Sequence, residues 1–163
     1  MRWDSSHSKG DMRMYFEEFT VGQKFTTGSY LLSKEEIIAY AMRYDPQDIH
    51  INEQKAKEGP FKGIIASGIH TLAIAAKLGV ELKAISNGLI CGVGCDAIRF
   101  VKPVYPFDML TVYIEVLNCT PHTEKKDRGF VTFSYVAKNQ RGEIVLTVEI
   151  TTLKYCAPSL LYG

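Results

Sequence analysis

The segment RYDPQDIH, residues 43–50, holds a carboxylic acid and an imidazole on either side of a proline, namely Asp45 and His50. A carboxylate and an imidazole that share one water molecule can take a proton from it and give one back, and such acid–base catalysis contributes about 10²–10⁴-fold in rate. The spacing alone arises easily by chance, and an acid before proline commonly starts a turn. The elements around the pair must therefore decide its role.

A helix is predicted immediately before Asp45. Ser33 and Glu36 form a capping box, S-x-x-E, in which each side chain satisfies a backbone N–H at the helix start. An apolar stripe with helical spacing follows, consisting of Ile37, Tyr40, Ala41 and Tyr44. Pro46 disfavours helical geometry at the preceding residue. The helix should therefore end at about Asp45 and project this acid into an irregular turn.

A second helix is predicted from the sequence SGIHTLAIAAKLGV, residues 67–80. Ser67 is suited to the N-cap position, and the helix behind it is apolar nearly all round, which is typical of a buried helix. Gly79 is a possible C-terminus, although the following residues could continue the helix after a kink. The first amides of this helix lack intrahelical acceptors and lie at the positive end of its dipole. Gly68 has no Cβ, so a ligand could approach them closely.

The rest of the chain is rich in β-branched and aromatic residues with turn-like breaks between the runs. Strands are predicted at residues 25–32, 89–101, 109–118, 129–138 and 144–154. Short turns between successive strands favour antiparallel pairing. The predicted fold class is α+β, a hot-dog fold in which an antiparallel sheet wraps around the buried helix 68–79. We expect a mobile leader at residues 1–14, a single domain at 15–155 and a short tail at 156–163.

Three segments, YDPQDIH, FKGIIASGIHTLAIAAKL and IRFVKPVYPFDMLTVYIEV, occur in this order. In order and separation they resemble the MaoC-like dehydratases of the (R)-specific enoyl-CoA hydratase family. The resemblance covers roughly residues 15–154. It implies reversible syn addition of water to a trans-2-enoyl thioester, which gives an (R)-3-hydroxyacyl thioester.

The resemblance also implies roles for particular residues. Asp45 and His50 would both hold the water, and the sequence leaves open which of them is the base. We favour Asp45 as the main proton acceptor and His50 as the group that orients the water and donates the proton. The start of the buried helix, at Ser67, Gly68 and Ile69, would bind the thioester oxygen. An apolar site should raise the pKa of the carboxyl group and lower that of the imidazole. A homodimer is implied, and no cofactor is needed beyond the coenzyme A or acyl carrier protein that carries the substrate.

The sequence departs from the family pattern at several positions. Gln47 and Asp48 replace an Asn and a Pro within the Asp/His motif, and the second carboxylate puts substrate preference in doubt. The buried helix offers small apolar residues such as Ala75 or Ala76 where one branch of the family carries a serine. Phe107 stands where hot-dog proteins often have Gly, which is expected to alter the turn.

Composition excludes several other classes of protein. The chain has 163 residues and a net charge of +1 from 19 basic and 18 acidic residues, which does not favour nucleic acid or anionic lipid. No stretch is long and apolar enough for a membrane span or a signal peptide, so a cytosolic location is expected. The four cysteines, His50 and His70 have no metal-ligand spacing, and His122, in a polar turn, is expected to be solvated. The thiols are expected to be buried, and His70 to be packed or to line a substrate channel.

Two alternatives remain at this point. An acyl-CoA thioesterase would use the same fold, but its acid normally comes from the long helix, and residues 68–80 contain no Asp or Glu. A non-catalytic hot-dog protein that binds acyl groups is the second, because a fold does not fix a function.

Overall fold

A computed structural model describes residues 14–158. Its five strands are β1 (Lys24–Leu31), β2 (Leu89–Phe100), β3 (Met109–Pro121), β4 (Arg128–Lys138) and β5 (Ile144–Tyr155). They form one sheet in the order β1-β3-β4-β5-β2, and every neighbouring pair is antiparallel. The predicted α+β class is confirmed, and β1 and β2 are the two edges of the sheet.

Within residues 14–158, five helices accompany the sheet: α1 (Lys34–Tyr44), α2 (Asp48–Ile51), α3 (Glu53–Glu58), α4 (Gly68–Glu81) and α5 (Lys83–Ser86). A 3-10 turn at Phe16–Glu18 precedes them. Half of the predicted capping box of α1 is present, since the Ser33 hydroxyl accepts a hydrogen bond from the Glu36 backbone amide at 3.1 Å. The Glu36 carboxylate does not return this bond to Ser33 and instead accepts from the Tyr30 hydroxyl at 2.8 Å. Asp45 is the C-cap residue of α1, as Pro46 led us to expect.

The core lies between α4 and the inner face of the sheet. The alternating residues of β4, Val131, Phe133, Tyr135 and Ala137, are all buried, as their spacing predicts. Ile74, Ala75 and Leu78 of α4 are buried with them. Gly79 is essential to this contact, because a Cβ there would overlap the ring and hydroxyl of Tyr135. Gly79 therefore serves close packing and does not end the helix, which continues to Glu81.

Three sequence predictions were wrong in detail. Tyr44 is 63% exposed, because α1 turns only its Ile37 and Ala41 side towards the core. Cys91 and Cys95 are exposed, and they lie on β2, an edge strand of the sheet formed by residues 14–158. Phe107 adopts a left-handed backbone with φ of 68°, so the turn keeps the conformation that glycine favours.

Some predictions concern segments at the chain ends. Residues 1–13 of the predicted leader and 159–163 of the predicted tail lie outside the described residues. Within residues 14–158, no helix is long and apolar enough to cross a membrane.

Candidate active site

Asp45 and His50 are brought together by the break between α1 and α2. At the end of α1 the backbone amide of Asp45 still donates to the carbonyl oxygen of Ala41, at 2.9 Å. The chain then turns, and the backbone amide of Gln47 donates to the carbonyl oxygen of Asp45 at 2.7 Å. The short helix α2 follows and carries His50. As a result, His50 Nε2 lies 3.4 Å from Asp45 Oδ2.

The orientation of the His50 ring fixes its tautomer. His50 is only 4% exposed, and its Nδ1 lies 2.7 Å from the carbonyl oxygen of Ile65. A carbonyl oxygen can only accept, so Nδ1 must carry the hydrogen. In a neutral imidazole the other nitrogen is then an acceptor. His50 therefore presents the lone pair of Nε2 towards Asp45 when it is neutral.

Two side chains hold the Asp45 carboxylate. The Ser67 hydroxyl donates to Oδ2 at 2.6 Å, and the side-chain NH₂ of Gln47 donates to Oδ1 at 2.7 Å. These hydrogen bonds, from Ser67 first and Gln47 second, lower the pKa of Asp45 against the smaller opposing effect of burial. The expectation that an apolar site would raise the pKa of this carboxyl was wrong, because the two hydrogen bonds outweigh the effect of desolvation.

Ser67 occupies the predicted N-cap position of α4, but its side chain makes no capping hydrogen bond. The residue is fully buried, and its hydroxyl is committed to Asp45 instead. The prediction of a side-chain cap was therefore wrong. The hydroxyl of Ser67 ties the start of α4 directly to the end of α1.

An apolar cavity of about 280 Å³ opens beside the pair. His50, Gly68 and Thr71 line it together with apolar side chains, among them Phe61, Ile65, Ala66, Phe100, Val101 and Val104. No acceptor is found for the amides of Gly68 and Ile69 within residues 14–158. These amides can meet a ligand oxygen at the positive end of α4.

The side chains of the other residues singled out in the sequence lie outside this arrangement. The side chain of Ile69 is 53% exposed and does not line the cavity. Asp48 is exposed and pairs with Lys55 at 2.7 Å, so its charge is compensated away from Asp45. The interpretation of His70 as a packed residue is confirmed, since it is buried and stacks on Tyr40 with ring centres 4.2 Å apart. Burial lowers the pKa of this imidazole.

Sequence reasoning missed two contributors. Gln47 was weighed only as a replacement for Asn, although its side-chain NH₂ can donate to a carboxylate and does so to Asp45. Phe100 carried no signal of its own, because its place depends on long-range pairing of β2. Within residues 14–158 no group of three or more His, Cys, Asp or Glu side chains could hold a metal ion.

Comparisons with known proteins agree with this architecture. The MaoC-like domain model matches residues 17–139. The uncharacterized protein YdeM of Bacillus subtilis is 41% identical over 140 residues, which cover 86% of this chain and 98% of that protein. The (R)-specific enoyl-CoA hydratase of Rhodospirillum rubrum is 27% identical over 140 residues, 85% of this chain and 90% of that enzyme.

Solved structures give the same result. The MaoC-like dehydratase of Rhodospirillum rubrum superimposes with a TM-score of 0.79 at 32% identity, covering 89% of this chain and 99% of that one. The R-hydratase PhaJ1 of Pseudomonas aeruginosa superimposes with a TM-score of 0.73 at 25% identity, covering 89% and 88% of the two chains. The predicted hot-dog fold is confirmed.

Proposed function

The chain belongs to the MaoC-like domain family, and from this membership we propose that it is a hydro-lyase. It adds water reversibly to a trans-2-enoyl thioester and gives the (R)-3-hydroxyacyl thioester. The observation that carries the proposal is the pair Asp45 and His50, 3.4 Å apart, with His50 in the wall of an apolar cavity. A similar (R)-specific enoyl-CoA hydratase supports the substrate class.

The pair is suited to hold one water molecule. An ionised Asp45 and the lone pair of His50 Nε2 are both acceptors, and two acceptors do not hydrogen-bond to each other. A water to one side of the pair can donate one hydrogen to each of them. A lone pair on the oxygen of this water then points away from both donated hydrogens, towards the substrate. The hydrogen bonds from Ser67 and Gln47 keep Asp45 ionised, which maintains this arrangement.

The proton balance closes with this one water. The water oxygen forms a bond to C3 of the acyl group, and the Asp45–His50 pair takes one of its protons. The π electrons of the double bond shift towards the thioester carbonyl, and the pair then delivers the proton to C2. The two groups lie 3.4 Å apart, so a proton can pass between them. We therefore treat them as one acid–base unit, which gains a proton and loses it in each turnover.

The start of α4 is the proposed oxyanion site. Negative charge develops on the thioester oxygen as water attacks, and preorganised N–H donors at this point lower the barrier. The amide of Gly68 has no acceptor within the described residues and belongs to a residue that lines the cavity. Ile69 contributes its amide, while Ser67 acts through Asp45. The apolar lining suits a hydrocarbon acyl chain.

A homodimer is part of the same proposal. The edge strand β2 is 12 residues long, and a strand of this length with an open edge is normally covered. Val93 and Val101, on and just after β2, are each 50% exposed. Light scattering should give twice the chain mass, and Val93→Lys should shift the population towards monomer. A monomeric wild-type protein would contradict this assembly.

The function is tested by incubating the protein with crotonyl thioesters of coenzyme A and of acyl carrier protein. Loss of the enoyl-thioester absorbance is measured, and the configuration of the product is determined by chiral separation. We expect hydration with formation of the (R)-3-hydroxy product. Release of free thiol would indicate a thioesterase, and tight binding without turnover would indicate a binding protein.

A further inference from the structure

The edge strand β2 contains a bulge close to the cavity. Asp96 pairs with Glu149 and Arg99 pairs with Thr147, so β2 has one residue more than β5 over this stretch. Ala97, inside the bulge, has a left-handed backbone with φ of 51°. Bulges of this kind often carry a glycine in the left-handed conformation and are over-represented beside active sites.

The extra residue reverses the side of the sheet to which later side chains point. Asp96 pairs with Glu149, and both are exposed on the outer side of the sheet. Phe100 pairs with the fully buried Leu146, which points inward. With strict alternation Phe100 would share the side of Asp96. The bulge therefore directs the Phe100 ring to the cavity, which it lines together with His50.

The ring of Phe100 lies against the first residue of α4. A Cβ built on Gly68 would be 2.7 Å from Cγ and Cδ2 of Phe100 and 2.8 Å from Cδ1. These atoms form the near end of the ring, attached through Cβ to the strand, so they cannot swing aside freely. Phe100 is nevertheless 52% exposed, which leaves part of the ring open to a ligand.

These contacts restrict the space around the acyl carbon next to the carbonyl. A thioester oxygen bound by the Gly68 amide places C1, and with it C2, close to Gly68, the residue that the Phe100 ring covers. C2 must also be reached by the proton held at His50 and Asp45. Carbon atoms pack at about 3.5–4.0 Å, so in this pose a methyl group at C2 would compete with the ring for space, whereas a flat C2–H would not.

We propose that Phe100 is a specificity-determining residue, which selects 2-enoyl thioesters without a substituent at C2. The inference rests on the proposed function, because it needs the thioester oxygen at Gly68. It goes further in assigning a substrate preference to one side chain. Phe100 restricts the bound acyl group and takes no part in proton transfer.

The test compares crotonyl-CoA with 2-methylcrotonyl-CoA in wild type, Phe100→Leu and Phe100→Ala. The measured quantity is the ratio of the two kcat/KM values. One carbon in an apolar pocket typically changes such a ratio by about 10–200-fold. We expect the preference of wild type for crotonyl-CoA to fall at least about 10-fold in Phe100→Ala, with an intermediate value for Phe100→Leu. Phe107→Ala, which removes a similarly exposed ring from a turn outside the cavity, should keep the wild-type ratio.

A second measurement tests the contact without relying on activity. Gly68→Ala should lower the urea midpoint of unfolding in the wild-type background, because the new methyl group overlaps the Phe100 ring. In the Phe100→Ala background the same substitution should have little effect or a stabilising one. Strictly additive effects of the two substitutions would contradict the contact between Gly68 and Phe100 on which the inference depends.

The outcomes separate the two levels of the proposal. A wild-type protein that does not hydrate crotonyl-CoA refutes the proposed function and the inference with it. Normal turnover of crotonyl-CoA, with the same substrate ratio in wild type and Phe100→Ala, refutes the inference alone. A ratio that falls in Phe100→Ala and not in Phe107→Ala supports it.

Discussion

The hydrogen bond between Ser67 and Asp45 offers a test of how the site is held together. Its 2.6 Å length and the complete burial of Ser67 are typical of a strong bond to a charged acceptor. Ser67→Ala removes the hydroxyl and changes little else. It removes no side-chain cap, because the hydroxyl makes no capping bond to α4.

The expected loss of stability in Ser67→Ala follows from the negative charge on Asp45, the partner of the Ser67 hydroxyl. A hydrogen bond to a charged group contributes about 1.5–3 kcal/mol to stability, and the Asp45 side chain is only 25% exposed. Ser67→Ala should therefore lower the free energy of unfolding by about 1.5–3 kcal/mol at neutral pH. For a domain of this size, each kcal/mol corresponds to about 2–4 °C in Tm.

The effect should depend on pH with a definite sign. The pKa of Asp45 is lower in the folded protein than in the unfolded chain. Its contribution is therefore complete above the unfolded pKa and is lost as pH falls through the folded pKa. The difference between wild type and Ser67→Ala should consequently shrink in acid. An ordinary N-cap bond between neutral groups would show no such dependence.

The assay is urea unfolding at a series of pH values from neutral to acidic, with Ser33→Ala as the matched control. Ser33 is a true N-cap, bonded to the Glu36 amide, and its removal should cost about 1 kcal/mol. That cost should be nearly the same at every pH tested. A Ser67→Ala difference that is equally independent of pH would refute the assignment of Ser67 to the Asp45 carboxylate.

Two further predictions concern a buried lysine of β5 beside α5 and a glycine of α4. Lys154 is buried, donates to the carbonyl oxygens of Ile85 and Asn87, and has its pKa lowered by burial to about 8. The unfolded chain binds this proton up to about pH 10.4, so the free energy of unfolding should rise as the pH increases from about 8 to about 10.4. Urea midpoints should show this rise in wild type and not in Lys154→Met. Gly79→Ala should destabilise by about 1–3 kcal/mol through overlap with Tyr135. Gly28→Ala, with open space around the new methyl group, is the control in the same thermal unfolding series.

Local patterns predicted the elements that frame the site. The N-cap residue Ser33 and the proline after Asp45 define the start and the end of α1, and the apolar sequence from Gly68 identifies the buried helix. These signals depend only on neighbouring residues, so a sequence can be read for them directly. The D-x4-H spacing became informative because both elements flank it.

Features that depend on tertiary contacts could not be read in this way. The Ser67 hydroxyl had a local role open to it at the helix start, and only the approach of α1 redirects it to Asp45. The bulge at Ala97 appears only when the pairing of β2 with β5 is known, and the position of Phe100 follows from that bulge. The pKa direction of Asp45 was likewise missed, since it depends on hydrogen bonds from Ser67 and Gln47.

The central claim is that Asp45 and His50 act together on one water molecule. Its most direct test is the rate of crotonyl thioester hydration by Asp45→Asn and His50→Gln, with folding checked by circular dichroism. Asp48→Asn, which alters an exposed carboxylate paired with Lys55, is the control. We expect both site variants to lose at least about 10²-fold in kcat, while the control stays close to wild type. A folded Asp45→Asn or His50→Gln protein that hydrates the thioester at the wild-type rate would contradict the account.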